Sequence, residues 1–138
     1  MEGFDTAAMA KMVRTVPDDQ LEEGLRANGE QIIGEVFRRF PERVSDEGRR
    51  AKAVIKWKIR PKDGEDQRWF VVLEDGECTT GRDLDRKPDV TLSLRQLDFL
   101  KLVTGNANPV QMFLRRRLRV RGDLMLASRM QRFFEIPR

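Results

Sequence analysis

The chain contains no histidine and no tyrosine, and its only cysteine is Cys78. Histidine is the side chain that exchanges protons most readily near neutral pH and the commonest neutral metal ligand, so its absence removes the usual acid-base and metal chemistry. A lone cysteine cannot close an internal disulfide. Cys78 has no histidine to take its proton and lies in a stretch of strand-like composition, so it reads as a small packing residue rather than a nucleophile. These absences argue against an enzyme. No apolar run approaches the roughly eighteen residues that a membrane helix needs. The first ten residues lack the basic start and apolar core of a secretory signal, and Ile136-Pro137-Arg138 is not an address of the Ser-Lys-Leu type. The expectation is a soluble, cytoplasmic, bacterial protein.

What is present suits one domain over 1–138: 138 residues, 39% hydrophobic and 36% charged, enough to bury a single core. Residues 1–41 read as helices. Asp5 can cap a first helix carrying Met9, Met12, Val13 and Val16 at helical spacing, before Pro17. Pro17, Asp18 and Asp19 suit the first turn of a second helix. Its apolar series is Leu21, Leu25, Ile32, Ile33, Val36, Phe37 and Phe40, with Asn28-Gly29 as a weak point and Pro41 as the stop.

Over 51–138 the period changes. Ala51, Ala53, Ile55, Trp57 and Ile59 alternate with lysines and Val54, as in a half-buried strand. Pro61-Lys62-Asp63-Gly64 is a turn, and Trp69 to Leu73 is a strand apolar on both faces, which leaves open the face that meets the core. Asp75-Gly76 favours a tight hairpin into a third strand from Glu77 to about Thr80. Val90, Leu92 and Leu94 share one face of a fourth strand. Ser93 and Gln96 have capping-box spacing for a helix through Leu97, Phe99, Leu100, Leu102 and Val103, ended by Gly105. Asn108 followed by Pro109 opens a short helix with Val110, Met112, Phe113 and Leu114. Leu118 and Val120 then alternate with Arg117, Arg119 and Arg121, a strand with one basic face. Gly122-Asp123 ends that strand and caps a last helix, on which Leu126, Ala127, Met130, Phe133 and Phe134 fall in one arc.

The closing third therefore runs from Pro88-Asp89-Val90-Thr91-Leu92-Ser93-Leu94 through Gly105-Asn106-Ala107-Asn108-Pro109 to Leu118-Arg119-Val120-Arg121-Gly122-Asp123. This order resembles the sterol carrier protein 2 (SCP2) lipid-binding domain family. There a D-x-T-L-x-L strand leads into a helix ending G-x-x-N-P, a second helix, a short basic strand ending in Gly and a closing apolar helix. The resemblance implies an α/β (α+β) domain: a five-stranded, mostly antiparallel sheet of order 3-2-1-4-5, covered on one face by helices, with an apolar tunnel between the layers. It implies non-catalytic binding, and transfer between membranes, of a fatty acid, fatty acyl-CoA, sterol or similar lipid, with no cofactor. Relatives also serve as accessory lipid holders for other enzymes, as in quinone biosynthesis. By the same resemblance the cavity is lined by Trp69 and Val71 from the sheet, Phe99, Leu102 and Val103 from the buried helix, and Met112 and Phe113 from the short one. Met130, Phe133 and Phe134 complete it. Ordinary core packing is the competing reading for each.

The five arginines between Arg115 and Arg121 form the densest charge cluster. Arg115, Arg117, Arg119 and Arg121 fit docking to an anionic membrane, at about 1 kcal/mol per basic residue, or a solvated strand face that discourages edge pairing. Many relatives have a glycine where Arg116 stands. A nucleic-acid-binding module is the other class these arginines suggest. It is disfavoured by a net charge of only +4 and by the lack of aromatic residues among the arginines to stack on bases. Glu74, Asp75 and Glu77, which flank a tight turn, read as solvated turn residues rather than an active site.

Overall fold

The chain reverses at Asp75 and Gly76, whose φ values of 53° and 78° are both left-handed. Such turns match the right-handed twist of paired strands, and the sequence Asp-Gly adopts them at low cost. The computed structural model describes residues 6–135. In chain order its helices and strands are α1 (Thr6–Thr15), α2 (Asp18–Arg39), α3 (Asp46–Arg50), β1 (Ala53–Arg60), β2 (Gln67–Glu74), β3 (Glu77–Gly81), β4 (Val90–Arg95), α4 (Gln96–Val103), α5 (Pro109–Leu114), β5 (Arg119–Gly122) and α6 (Leu124–Arg129). Short 3-10 turns cover Phe40–Arg43 and Met130–Arg132. None of the described helices is long and apolar enough to cross a membrane.

The strands form one five-stranded sheet in the order β3-β2-β1-β4-β5. Only the central β1/β4 pair is parallel, and β1/β2, β2/β3 and β4/β5 are antiparallel. A parallel neighbour needs a long connection, and the chain supplies it by completing β2 and β3 before returning as β4. Gly122 ends β5 at φ 103°, and a Cβ there would meet the Asp89 carbonyl at 2.5 Å, so only glycine fits where β5 turns away from β4.

The two faces of β2 divide its apolar residues. Trp69, Val71 and Leu73 join Ala53, Ile55, Trp57 and Ile59 of β1 in the main core under the helices. Phe70 and Val72 join Val54 in a small cluster on the far face, covered by Leu84. The loop carrying Leu84 is held there by Arg86, which donates from both terminal nitrogens to Glu74, each at 2.9 Å.

Helices α2 and α4 cover the main face. Phe37 of α2 is stacked between Trp69 (4.9 Å) and Phe99 of α4 (5.0 Å), and Trp57 meets Phe99 edge-on at 5.2 Å. Such pairs add roughly 0.5–1.5 kcal/mol beyond the area they bury. Asn28 breaks helical geometry inside α2 (φ −131°, ψ 15°), the weak point expected at Asn28-Gly29. Helix α1 is tied down by the Asn106 side-chain N–H, which donates to the Ala10 carbonyl at 3.1 Å. The expected cap at Asp5 lies outside the described residues.

Two local expectations change. Ser93 does not cap α4: it lies inside β4, paired with Lys58 on one side and Arg119 on the other, and the helix starts after Arg95 with no side-chain cap. The last helix ends at Arg129, and the following Met130–Arg132 turn tightens so that Phe133 can reach the core. Between α2 and β1, helix α3 is capped by Ser45, whose hydroxyl oxygen accepts from the Gly48 N–H at 3.1 Å.

Candidate functional site

Between the sheet and the helices lies an apolar cavity of about 100 Å³. Each wall comes from a different part of the chain. Met9 enters from α1, Val36 and Arg39 from α2, Phe40 and Arg43 from the turn after it, and Trp57 from β1. Leu102 and Val103 close the side at the end of α4, followed by Thr104, Ala107 and Pro109, and the C-terminal segment contributes Met130, Gln131, Phe134 and Glu135. The Thr104 hydroxyl donates to the Leu100 carbonyl at 2.6 Å and accepts from the Asn106 side-chain N–H at 2.8 Å, so its polarity is satisfied.

The C-terminal segment is fastened along one line to residues 43–48. The Ser45 N–H donates to the Phe133 carbonyl at 2.8 Å, the Ser45 hydroxyl to the Arg132 carbonyl at 2.5 Å, and the Glu135 N–H to the Arg43 carbonyl at 2.6 Å. Val44 and Phe134 form the isolated antiparallel bridge between them. Gly48 lies so close to the Phe133 carbonyl that any side chain there would displace the segment. The cavity is thus closed by a short strap rather than by a second helix layer.

Polar groups within this apolar wall are few. Trp57 is 2% exposed and its indole N–H has no hydrogen-bond partner among the described residues. Arg39, Arg43 and Glu135 are among the lining residues, so charges of both signs border the space, and Arg39 reaches Glu42 at 3.5 Å. Cys78 is half-buried against the core, away from the cavity lining, and burial pushes its thiol up to about 11. No group of three or more potential metal ligands occurs among the described residues.

Of the residues expected to line a lipid site, Leu102, Val103, Met130 and Phe134 share the cavity wall. Trp69, Val71, Phe99, Met112 and Phe133 are buried in the core cluster without lining the cavity. Trp69 and Phe99 are held there by the Phe37 ring between them. Phe113, the residue after the buried Met112 on α5, is 44% exposed. Sequence reasoning did not single out Met9, Phe40 or Trp57 as lining residues. Phe40 and Trp57 carried an inward-facing signal, but periodicity cannot tell a residue that faces protein from one that faces space.

The arginine cluster divides. Arg115, Arg116, Arg117, Arg119 and Arg121 are all exposed, and Arg117 reaches Asp98 of α4 at 3.5 Å. Helix α5 ends in a Schellman arrangement: the Arg117 N–H donates to the Met112 carbonyl at 2.8 Å and the Arg116 N–H to the Phe113 carbonyl at 3.1 Å. Arg116 occupies the position glycine usually takes there, at φ 62°. For a residue with a Cβ that conformation costs about 1–2 kcal/mol.

Comparison with known proteins agrees with this architecture. The SCP-2 sterol transfer family matches residues 34–135. Sterol carrier protein 2 of Bos taurus is 26% identical over 134 residues, covering 94% of this chain and 24% of that protein, so the chain spans about a quarter of the length of such relatives. Among solved structures, the apo form of sterol carrier protein 2 from Yarrowia lipolytica superposes with a TM-score of 0.62 at 24% identity, covering 71% of this chain and 85% of that one. Sterol carrier protein 2 from Aedes aegypti, solved in complex with the C16 fatty acid palmitate, gives 0.55 at 19% identity, covering 72% and 90%.

Proposed function

This chain belongs to the SCP-2 sterol transfer family, and we propose that the cavity beneath the C-terminal strap binds the hydrocarbon chain of a fatty acid or a lipid like it. The observation that carries the reading is the cavity itself: an apolar space walled by Leu102, Val103, Met130 and Phe134 and closed by a strap fastened through a few hydrogen bonds. Adaptable Met and Phe side chains accept acyl chains of varied shape. At about 0.8 kcal/mol per buried CH₂, a sixteen-carbon chain gains on the order of 12 kcal/mol gross, more than the several kcal/mol of association costs.

The cavity of about 100 Å³ is smaller than the roughly 300–1,000 Å³ of sites that enclose drug-sized ligands. Binding therefore requires side chains to move, and we place that movement in the strap, whose ties are three hydrogen bonds to Arg43 and Ser45 and the Val44–Phe134 bridge. The indole N–H of Trp57, without a partner among the described residues, offers one donor to the polar head of a ligand.

Transfer to and from a membrane is part of the proposal. Val110, Phe113 and Leu114 lie on one side of α5, are 51%, 44% and 71% exposed, and are followed directly by Arg115. Pro109, at the start of that helix, lines the cavity. A bilayer with anionic lipids offers apolar depth to the first group and charge attraction to the arginine. The same cavity would serve an accessory lipid-holding role for another enzyme, and vesicle transfer distinguishes the two. Native mass spectrometry of gently purified protein, with palmitate added where none is retained, tests the binding. One lipid per chain is expected; free protein as the only species at saturating palmitate would contradict it.

A further inference from the structure

A second, larger recess lies on the other side of α4, and its chemistry is opposite to that of the cavity. It measures about 780 Å³ and shares no lining residue with the apolar site. The start of α2, the ends of β1 and β4, the start of α4 and the loop between α5 and β5 surround it. Eight lysines and arginines line it against three carboxylates, a surplus of five positive charges in a chain whose net charge is +4.

Ion pairing leaves most of this charge unanswered. Lys101 is paired with Asp18 and Arg117 with Asp98. Arg26, Arg60, Lys62, Arg95, Arg116 and Arg119 have no carboxylate within 4 Å among the described residues. Two further features are unfavourable in the protein alone. Arg60 and Arg95 are direct neighbours in the parallel β1/β4 register, like charges side by side on adjacent strands. Arg116 holds a left-handed backbone conformation at the recess wall, where glycine would be unstrained.

We propose that this recess is a binding site for a small anion carrying several phosphate groups, either free in solution or as the head of a lipid. Clustered guanidinium groups recognise phosphate through paired hydrogen bonds as well as charge. A recess of this size accepts a ligand as large as a nucleotide or a phosphorylated sugar. The site is independent of the apolar cavity: the recess is lined by Gln96, Leu97, Asp98 and Lys101 of α4, whereas the cavity is lined by Leu102 and Val103 at the end of that helix.

The test uses inorganic tripolyphosphate as the probe, titrated calorimetrically into the full chain at low salt. One-to-one binding is expected, weakening steeply from about 50 to about 200 mM salt as phosphate contacts do. The triple variant Arg26→Gln, Arg60→Gln, Arg95→Gln, altered only at exposed positions, should lose at least tenfold in affinity and keep its thermal melting and palmitate binding. A second arm uses phosphatidylcholine vesicles carrying a bis-phosphorylated inositol lipid. Sedimentation with these vesicles that tripolyphosphate reverses assigns the site to a lipid head, and tripolyphosphate binding without sedimentation assigns it to a soluble anion. Absence of tripolyphosphate binding at low salt, or equal binding by the triple variant, would overturn the proposal. So would a single-stranded oligonucleotide that binds the recess more tightly than tripolyphosphate does.

Discussion

The ring of Phe134 rests 5.0 Å from that of Phe40, so the last turn of the chain closes the cavity against the end of α2 through a direct aromatic contact. Both residues line the cavity, and the strap that carries Phe134 is fastened beside this contact by Ser45. Entry of a lipid and release of the strap are therefore one event in the proposed mechanism.

Ser45→Ala removes the hydroxyl that donates to the Arg132 carbonyl and also accepts from the Gly48 N–H. The cost should be about 1–2 kcal/mol of stability. If strap opening limits exchange, lipid dissociation should accelerate about 5- to 30-fold. Chemical denaturation and stopped-flow release of a fluorescent fatty acid check both, with Ser128→Ala, an exposed serine on α6, as the control expected to leave release unchanged.

The two tryptophans should report differently. Trp57 lines the cavity, whereas Trp69 stacks on Phe37 in the core. Palmitate should shift the emission of Trp69→Phe, which retains Trp57, and leave that of Trp57→Phe nearly unchanged. The reverse pattern would place the ligand on the other side of the Phe37 ring.

Burial raises the Cys78 thiol from 9.0 to about 11, so the folded chain holds this proton more tightly than the unfolded one. The reactive form is the thiolate, and alkylation by iodoacetamide at pH 8 should be about 100-fold slower folded than in denaturant. The linkage has the same sign: Cys78 favours the folded state below pH 9, and that contribution is lost as pH rises from 9 towards 11. Cys78→Ser should flatten the stability profile in that window.

Arg116→Gly should stabilise the fold by about 1 kcal/mol, because glycine adopts the left-handed position at the end of α5 without steric cost. The neighbouring Arg115→Gly, at φ −88°, should give no such gain. Denaturant midpoints at constant slope decide between them.

Much of the fold was legible because its signals are local. Asp75-Gly76, Asn108-Pro109 and Gly122-Asp123 each act through bonds to residues no more than three positions away, and each forms as expected: Asn108 accepts from the Val110 N–H at 2.8 Å and Asp123 from the Leu126 N–H at 3.0 Å. The capping box at Ser93 was misleading because two neighbouring strands claim that residue, a fact of the sheet rather than of its sequence neighbours. The cavity wall was only partly legible. Alternation turns Trp57 inward but leaves the face of Trp69 open, and the position of Phe37 in the folded chain decides which of the two meets the open space. The basic recess was not legible at all, since Arg26, Arg60 and Arg95 lie on separate elements and meet only in the folded chain.

Methionine methyl NMR with added palmitate tests the central claim most directly, because the methionines divide cleanly around the site. Met9 and Met130 line the cavity, while Met12 and Met125 are 55% and 71% exposed elsewhere. Acyl-chain binding under the strap predicts large shifts and intermolecular contacts at the Met9 and Met130 methyls and little change at Met12 and Met125. No perturbation of Met9 and Met130, or a stronger response at Met12 and Met125, would contradict it.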